Sequence, residues 1–429
     1  MKKFFLAFAI AANVAACAQT VHSTINLKEV ERIETVLASD EMRGRRAGTP
    51  DIDKAAAFIA DEFKKAGLHP IQGNSFLQEF LMVRPRFKNA QAEIDGKELD
   101  AKDVIVVTLE PELNVNEKSG YELQYIKQGE DIRARAQQIM ALQRNALVFV
   151  DPGFGQMFPR LSGFKRPAFK SDDKAGANVI FVLGTYQPKE FKIKAEHTIE
   201  ETRFANVVGV LPGKSRKNEY VIFSAHYDHL GVGKPVAGDS IYNGANDDAA
   251  GTTAVIMLAK HFKKQNNNER TLVFAAFTAE EIGGFGSQYF SKQYDPAQVM
   301  AMFNIEMIGT ESKWGKNSAY ITGFEKTSMG EILQQNLKGT SFTFHPDPYT
   351  KENLFYRSDN ATLARLGVPA HTISTAKMEG EPNYHQPSDE VGTLDLENMT
   401  QIIKAIAESS KTIVSGKDTP TRVKPESLR

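Results

Sequence analysis

Several short segments of this chain carry residue types that could do chemistry together. His226 and Asp228 stand two apart at the end of an apolar run, and Asp247 lies within Gly244-Ala245-Asn246-Asp247-Asp248-Ala249-Ala250-Gly251. Glu280 and Glu281 are adjacent, and Glu306 and His385 each follow a further apolar run. A two-metal hydrolytic centre needs about two nitrogen or oxygen ligands per metal, a bridging carboxylate, and a separate base beside the water. These residues supply that set. Residues two apart on a strand end point to the same side, so of His226 and Asp228 one can bind metal while the other fixes it through the far ring nitrogen. Small residues around Asp247 let a carboxylate enter a crowded centre before a helix starts. In Glu280-Glu281 one carboxylate can bind metal while the other faces the water.

Each residue alone has a plainer explanation. Most acidic pairs are solvated surface, and a single histidine after a strand is more often hydrogen-bonded structure. Asp248 is a natural cap for the following helix. The weight lies in the conjunction of such residues at four strand ends. His22, His69, His197, His261 and His345 have no supporting neighbours and receive no role, while His229 and His371, near the motifs, read as structural. Trp314 and the methionines Met300, Met302 and Met307 read as core or pocket wall.

The elements that must position these residues are legible in the pattern. Residues 220–225, 271–277, 299–305 and 368–374 are apolar runs of strand length, and each is followed at once or within a loop by candidate residues. Residues 249–262 read as an amphipathic helix between the first two runs, as do residues 27–38 and 53–66, with Gly67 as a stop. Strand alternating with helix predicts an α/β fold with a mixed, mostly parallel central sheet flanked by helices. Candidates just past the carboxyl ends of strands lie where open α/β sheets place ligands. From about residue 84 to 202 the pattern changes to short β-like runs (104–108, 146–150, 179–183) between Pro, Gly and charged residues, which predicts an inserted, mostly β module.

The segments His226-Tyr227-Asp228, Gly244 to Gly251, Glu280-Glu281, Asn304-Ile305-Glu306-Met307-Ile308-Gly309, Arg357-Ser358-Asp359 and Tyr384-His385-Gln386-Pro387-Ser388-Asp389 resemble, in order and spacing, the motifs of metallopeptidase family 28, the co-catalytic di-zinc aminopeptidases. The match spans about residues 206–392, and residues 37–67 are similar to the family's N-terminal segment. The resemblance implies a zinc exopeptidase fold of the phosphorylase/hydrolase-like kind and two zinc ions per chain. It implies His226 and Glu306 on one zinc, Glu281 and His385 on the other, and Asp247 bridging. Asp228 would support His226, Glu280 would be the general base, Tyr384 would donate to the oxyanion, and Arg357 would fix the peptide substrate. Glu306 departs from the aspartate found there in many aminopeptidases of the family, which leaves a carboxypeptidase reading open beside the aminopeptidase one. A single-zinc glutaminyl cyclase and a metal-free binding relative are the remaining alternatives; the complete ligand set argues against both. Cobalt or manganese would suit the same donors. The implied division is a catalytic domain in two parts, residues 18–83 and 203–414, around the insertion at 84–202, which resembles a protease-associated domain through residues 176–180.

Composition adds limits. Lys+Arg 52 against Asp+Glu 53 gives no basic stripe for nucleic acid. Lys2-Lys3, the apolar run 4–10 and small residues up to Cys17 read as a signal peptide, residues 1–17. Val14-Ala15-Ala16-Cys17 resembles a lipobox, and Ala16-Cys17-Ala18 is also an A-x-A cleavage pattern. The lipoprotein reading is preferred because the single cysteine coincides with the cleavage site. The expectation is an exported protein, periplasmic or outer-membrane-associated through a lipid anchor, with free secretion as the alternative. One cysteine excludes an internal disulfide and a cysteine-rich zinc site. Residues 415–429 form a polar, Pro-containing tail expected to lie unpacked.

Overall fold

The computed structural model describes residues 24–71, 73–164, 167–170 and 176–424. The expected signal peptide, with Cys17, lies outside them. Among the described residues no helix is long and apolar enough to cross a membrane. The chain forms two compact units, one of residues 80–203 and one of the residues on either side.

The larger unit holds all the candidate residues. Its elements include α1 (Leu27–Leu37), α2 (Pro50–Ala66), β1 (Phe191–Leu211, of which the final residues belong here), β2 (Arg216–His226) and α3 (Ala250–Gln265). β3 (Arg270–Phe277), β4 (Val299–Ile305), β5 (Ser318–Ile321), β6 (Thr343–Pro346), β7 (Ala370–Ser374) and α4 (Leu396–Ser409) follow. The strand order is β6-β5-β7-β4-β2-β3-β1. Strands β2, β3, β4 and β7 run parallel, while β5 meets β7 and β1 meets β3 in antiparallel fashion. The expected mixed sheet with a parallel centre and flanking helices is therefore found.

Both sheet faces are covered, as a parallel sheet demands. Val221, Phe223 and Ala225 of β2 join the core cluster that contains α1 to α4, whereas Ile222 joins a second cluster with Phe290 and Leu363. Phe223 lies in register with Phe274 and Phe303, and its ring stacks on theirs at centroid distances of 5.6 and 4.8 Å. Burying one such ring contributes roughly 1.5–3 kcal/mol, so the three rings pin β2 between β3 and β4 and fix where the strand ends fall.

Two expectations need correcting. Helix α3 is buried on every side from Ala250 to Ala259 rather than amphipathic there, because helices pack over it as well as the sheet. The chain past Ser415 is packed as far as the buried Val423: the buried Arg270 donates from Nη1 to Ile413 O and Asp418 O at 2.8 Å, and Arg422 donates to Val299 O at 2.7 Å. A buried guanidinium must find acceptors, and these carbonyls supply them.

The smaller unit carries the strands Val104–Val107, Val179–Leu183, Ala146–Val150 and Glu122–Ile126 in that order, the last three parallel. It also contains the helix Ile132–Ala141, whose Ile132, Ala136 and Ile139 pack in its core, so it is more helical than its short apolar runs predict.

Candidate metal centre

Strand β2 delivers His226, and the ring is oriented before any ligand arrives. Its Nδ1 donates to the carbonyl oxygen of Asp228 at 3.0 Å, which leaves Nε2 as a lone pair 3.2 Å from Asp247 Oδ1. The Asp228 carboxylate does something else. Its Oδ1 is 3.8 Å from His226 Nδ1, while Oδ1 and Oδ2 accept the backbone N–H groups of Glu280 and Glu281 at 3.0 and 3.3 Å. The expected support of His226 thus comes from the Asp228 main chain, and the side chain holds the Glu280-Glu281 turn. That turn follows β3 directly, with Ala279 in a left-handed conformation at φ 59°.

Asp247 sits between two imidazoles. Oδ1 faces His226, and Oδ2 lies 3.3 Å from His385 Nε2. The same His385 nitrogen is 3.3 Å from Glu281 Oε2. Glu306, at the end of β4, lines the same cavity as Asp247, Glu280, Glu281, Tyr384, His385 and Arg357, a space of about 260 Å³ that also takes in Met307, Tyr320 and Met378. The Tyr384 ring stacks on His385 at 3.9 Å and is partly exposed. Arg357 is half-exposed at the rim, 3.6 Å from Glu352. All the residues singled out in the sequence are therefore brought to one place.

Buried charges assigned no role in the site from the sequence hold the loops. Arg45 is wholly buried and donates to four carbonyls: Leu37 O and Asn243 O at 2.6 Å, Gly244 O at 2.8 Å and Tyr227 O at 2.9 Å. It ties the segment after His226 to the loop before Asp247. Asp248 accepts Gly251 N–H at 3.0 Å, as a cap would, but also Met307 N–H at 3.0 Å and His226 N–H at 3.4 Å. Asp389 accepts Asn246 and Asp247 N–H at 2.8 and 3.0 Å. The glycines here are required by space: a Cβ at Gly251 would stand 2.2 Å from Ile305 O, and one at Gly244 2.4 Å from Asp247 O.

The electrostatics are those of crowded acids. Burial, with Glu306, Asp359 and Asp228 adding to it, pushes Glu280 well above the usual carboxylate range against the pull of His226. Burial likewise raises Glu306 and Asp228 to about 7. For Asp247, burial is outweighed by His226 and His385, which hold it low, and for Glu281 by His229 and His385, which hold it at about 2. His385 is lifted to about 10 by Asp247 and Glu281. So much negative charge in one buried place calls for cations. The donors also fit a divalent ion. His226 Nε2 and Glu306 Oε2 are buried with no hydrogen bond to satisfy them, and the 3.2–3.3 Å gaps from Asp247 to His226 and His385 and from His385 to Glu281 match the edge, about 3.3 Å, of a tetrahedron with bonds near 2.0 Å.

Residues 206–410 match the sequence model of Peptidase family M28. Leucine aminopeptidase 1 of Coccidioides posadasii (strain C735) is 26% identical over 229 residues, covering 48% of this chain and 56% of that protein. Leucine aminopeptidase 1 of Ajellomyces dermatitidis (strain ER-3) is 27% identical over 215 residues, covering 46% and 53%. The chain thus spans about half the length of the curated relatives it matches. Among solved structures, an aminopeptidase from Aneurinibacillus sp. strain AM-1 aligns at a TM-score of 0.53 and 16% identity, over 96% of this chain and 98% of that one. A zinc aminopeptidase from Bacillus subtilis aligns at 0.54 and 18%, over 92% and 97%. At such identities the likeness is one of fold.

Proposed function

With residues 206–410 belonging to peptidase family M28, we propose that this chain is a zinc-dependent aminopeptidase that releases N-terminal residues from peptides. The observation that carries the reading is Asp247, which has an imidazole against each carboxylate oxygen, at 3.2 and 3.3 Å. A carboxylate that two metal ions are to share needs a ligand of each ion beside each of its oxygens, and this placement supports the reading.

In this reading His226 and Glu306 would hold one zinc, Glu281 and His385 the other, and Asp247 would serve both. Zinc bound there would supply Lewis acidity, which polarises a carbonyl and lets a water lose its proton near neutral pH. Glu280 takes the proton from the attacking water as the C–O bond forms and returns it to the nitrogen as the C–N bond breaks. Tyr384 donates from its hydroxyl to the tetrahedral oxygen, and Arg357 at the rim orients the peptide.

The test is metal analysis alongside hydrolysis of matched peptides with free or blocked ends. Two zinc ions per chain and loss of cleavage on N-acetylation support the proposal. Cleavage that ignores acetylation and is abolished by C-terminal amidation would make the protein a carboxypeptidase; one metal and cyclisation of N-terminal glutamine would make it a glutaminyl cyclase. Export with a lipid anchor on Cys17 belongs to the same proposal, supported by Lys2-Lys3, the apolar run and the lone cysteine. Mass spectrometry of the natural N-terminus should find Cys17 acylated; a free Gln19 would mean A-x-A cleavage.

A further inference from the structure

We propose that His229 is a positioning residue for Glu281, holding one carboxylate oxygen so that the other is turned to the metal. The inference rests on the reading of Glu281 as a metal ligand. His229 Nδ1 lies 2.9 Å from Glu281 Oε1, while His385 Nε2 lies 3.3 Å from Glu281 Oε2. Each oxygen of this carboxylate therefore faces a different imidazole.

The two distances assign different roles. A separation of 3.3 Å is what two ligands of one small cation keep, whereas 2.9 Å is the length of a charge-assisted N–H to carboxylate hydrogen bond. His229 Nδ1 is also 3.9 Å from Asp247 Oδ2, too far for an edge of the same tetrahedron. Because an ionised carboxylate only accepts, Nδ1 must carry the proton.

His229 is built into this position. Its side chain has no exposure, its Nδ1 is spent on the Glu281 carboxylate 2.9 Å away, and its Nε2 has no hydrogen-bond partner. His371 shows the contrast: it is equally buried, but its Nδ1 donates to Thr322 O at 2.8 Å and its Nε2 faces Thr327 Oγ1 at 2.7 Å, so both nitrogens are spent on structure. The His229 ring occupies the space that Gly244 leaves free, since a Cβ there would stand 2.5 Å from His229 Cγ. Its backbone N–H donates to Arg45 O at 3.3 Å, which joins it to the clamp beneath the loops. Residues that orient metal ligands in this way typically contribute about 10–100-fold to metal affinity.

The test uses the full chain loaded with zinc and measures both affinities by chelator competition, with thermal unfolding in parallel, for wild type, His229→Leu, His229→Asn and His229→Gln. His229→Leu should bind one zinc normally and the other about 10–100-fold more weakly. His229→Asn, whose amide N–H falls where Nδ1 does, should recover most of that loss, and His229→Gln, whose amide reaches the Nε2 position, should not. The Asn and Gln pair decides the matter even if the Leu variant does not fold. Unchanged affinities with only a lower Tm would reduce His229 to packing. Equal losses in all three variants, with an altered cobalt absorption spectrum in His229→Asn, would make it a direct ligand; either result overturns the proposal. If wild type itself binds no metal, the ligand reading of Glu281 fails first and this inference with it.

Discussion

Asp389 Oδ2 accepts the backbone N–H of Asp247 at 3.0 Å, while Oδ1 accepts that of Asn246 at 2.8 Å. The Asp247 segment, whose carboxylate is proposed to bridge two metal ions, is thus held from behind by a second carboxylate. Asp389→Asn replaces one acceptor by a donor and leaves a buried N–H unpaired, at a cost of about 1–3 kcal/mol. We expect zinc affinity to fall about 10–100-fold with the fold retained. Chelator competition and circular dichroism check this; unchanged affinity would show that Asp247 is positioned without Asp389.

Glu280 and Glu281 are adjacent, are held by the same Asp228 carboxylate, and should nonetheless fail differently. Glu280→Gln should keep both metals while turnover drops about 100-fold to 10,000-fold, the usual worth of general acid–base catalysis. Glu281→Gln should lower metal content towards one per chain, because an amide is a poorer ligand than a carboxylate. Elemental analysis beside kinetics distinguishes them. The opposite pattern would exchange the two roles.

Arg45 offers the test of the clamp. Arg45→Met leaves the carbonyls of Leu37, Tyr227, Asn243 and Gly244 without this donor. The expected loss is on the order of 3–5 kcal/mol in chemical unfolding. Arg45→Lys should recover only part of it, since an ammonium cannot reproduce the planar fork. A methionine variant as stable as wild type would show that the loops hold themselves.

Glu34 is buried and takes a hydrogen bond from Thr253 Oγ1 at 2.7 Å. Burial dominates, and its carboxyl is pushed up to about 8 despite Thr253 and Arg45. The folded state therefore binds a proton that the unfolded chain, titrating near the ordinary glutamate value of 4.5, has lost. The stability this contributes is complete below about pH 4.5 and falls as pH rises through 8, by at most about 1.4 kcal/mol per pH unit. Glu34→Gln removes the titration, so relative to wild type it should gain stability between pH 5 and 8. Unfolding curves of the two proteins across that range check it; parallel pH profiles would show that Glu34 is ionised in the folded protein.

The site was legible in the sequence because its residues follow apolar runs whose length and period announce strands. His226, Glu280-Glu281 and Glu306 each come just after one, and parallel strands necessarily bring such positions to one sheet edge. Asp247 was legible for another reason: glycines and alanines crowd it where side chains would collide, as the 2.2 and 2.4 Å contacts at Gly251 and Gly244 make plain. Arg45 was not legible. It lies in Gly44-Arg45-Arg46-Ala47-Gly48, which reads as an ordinary polar loop, and nothing local distinguishes the buried Arg45 from its more exposed neighbour Arg46.

By itself the sequence determined the alternation of elements, the edge of the sheet at which the carboxylates and imidazoles gather, and the likeness to a di-zinc peptidase family. Tertiary structure alone decided which group supports which. Asp228 turned from His226 to the Glu280-Glu281 backbone, His229 from a structural histidine into the partner of Glu281, and Asp389 into the support of Asp247. The physical reason is that strand periodicity is local and fixes where a side chain starts, whereas a buried donor or acceptor must be satisfied by whatever the fold brings within about 3 Å. For Arg45 those partners are carbonyls up to 199 residues away in sequence, and no window of the sequence contains them.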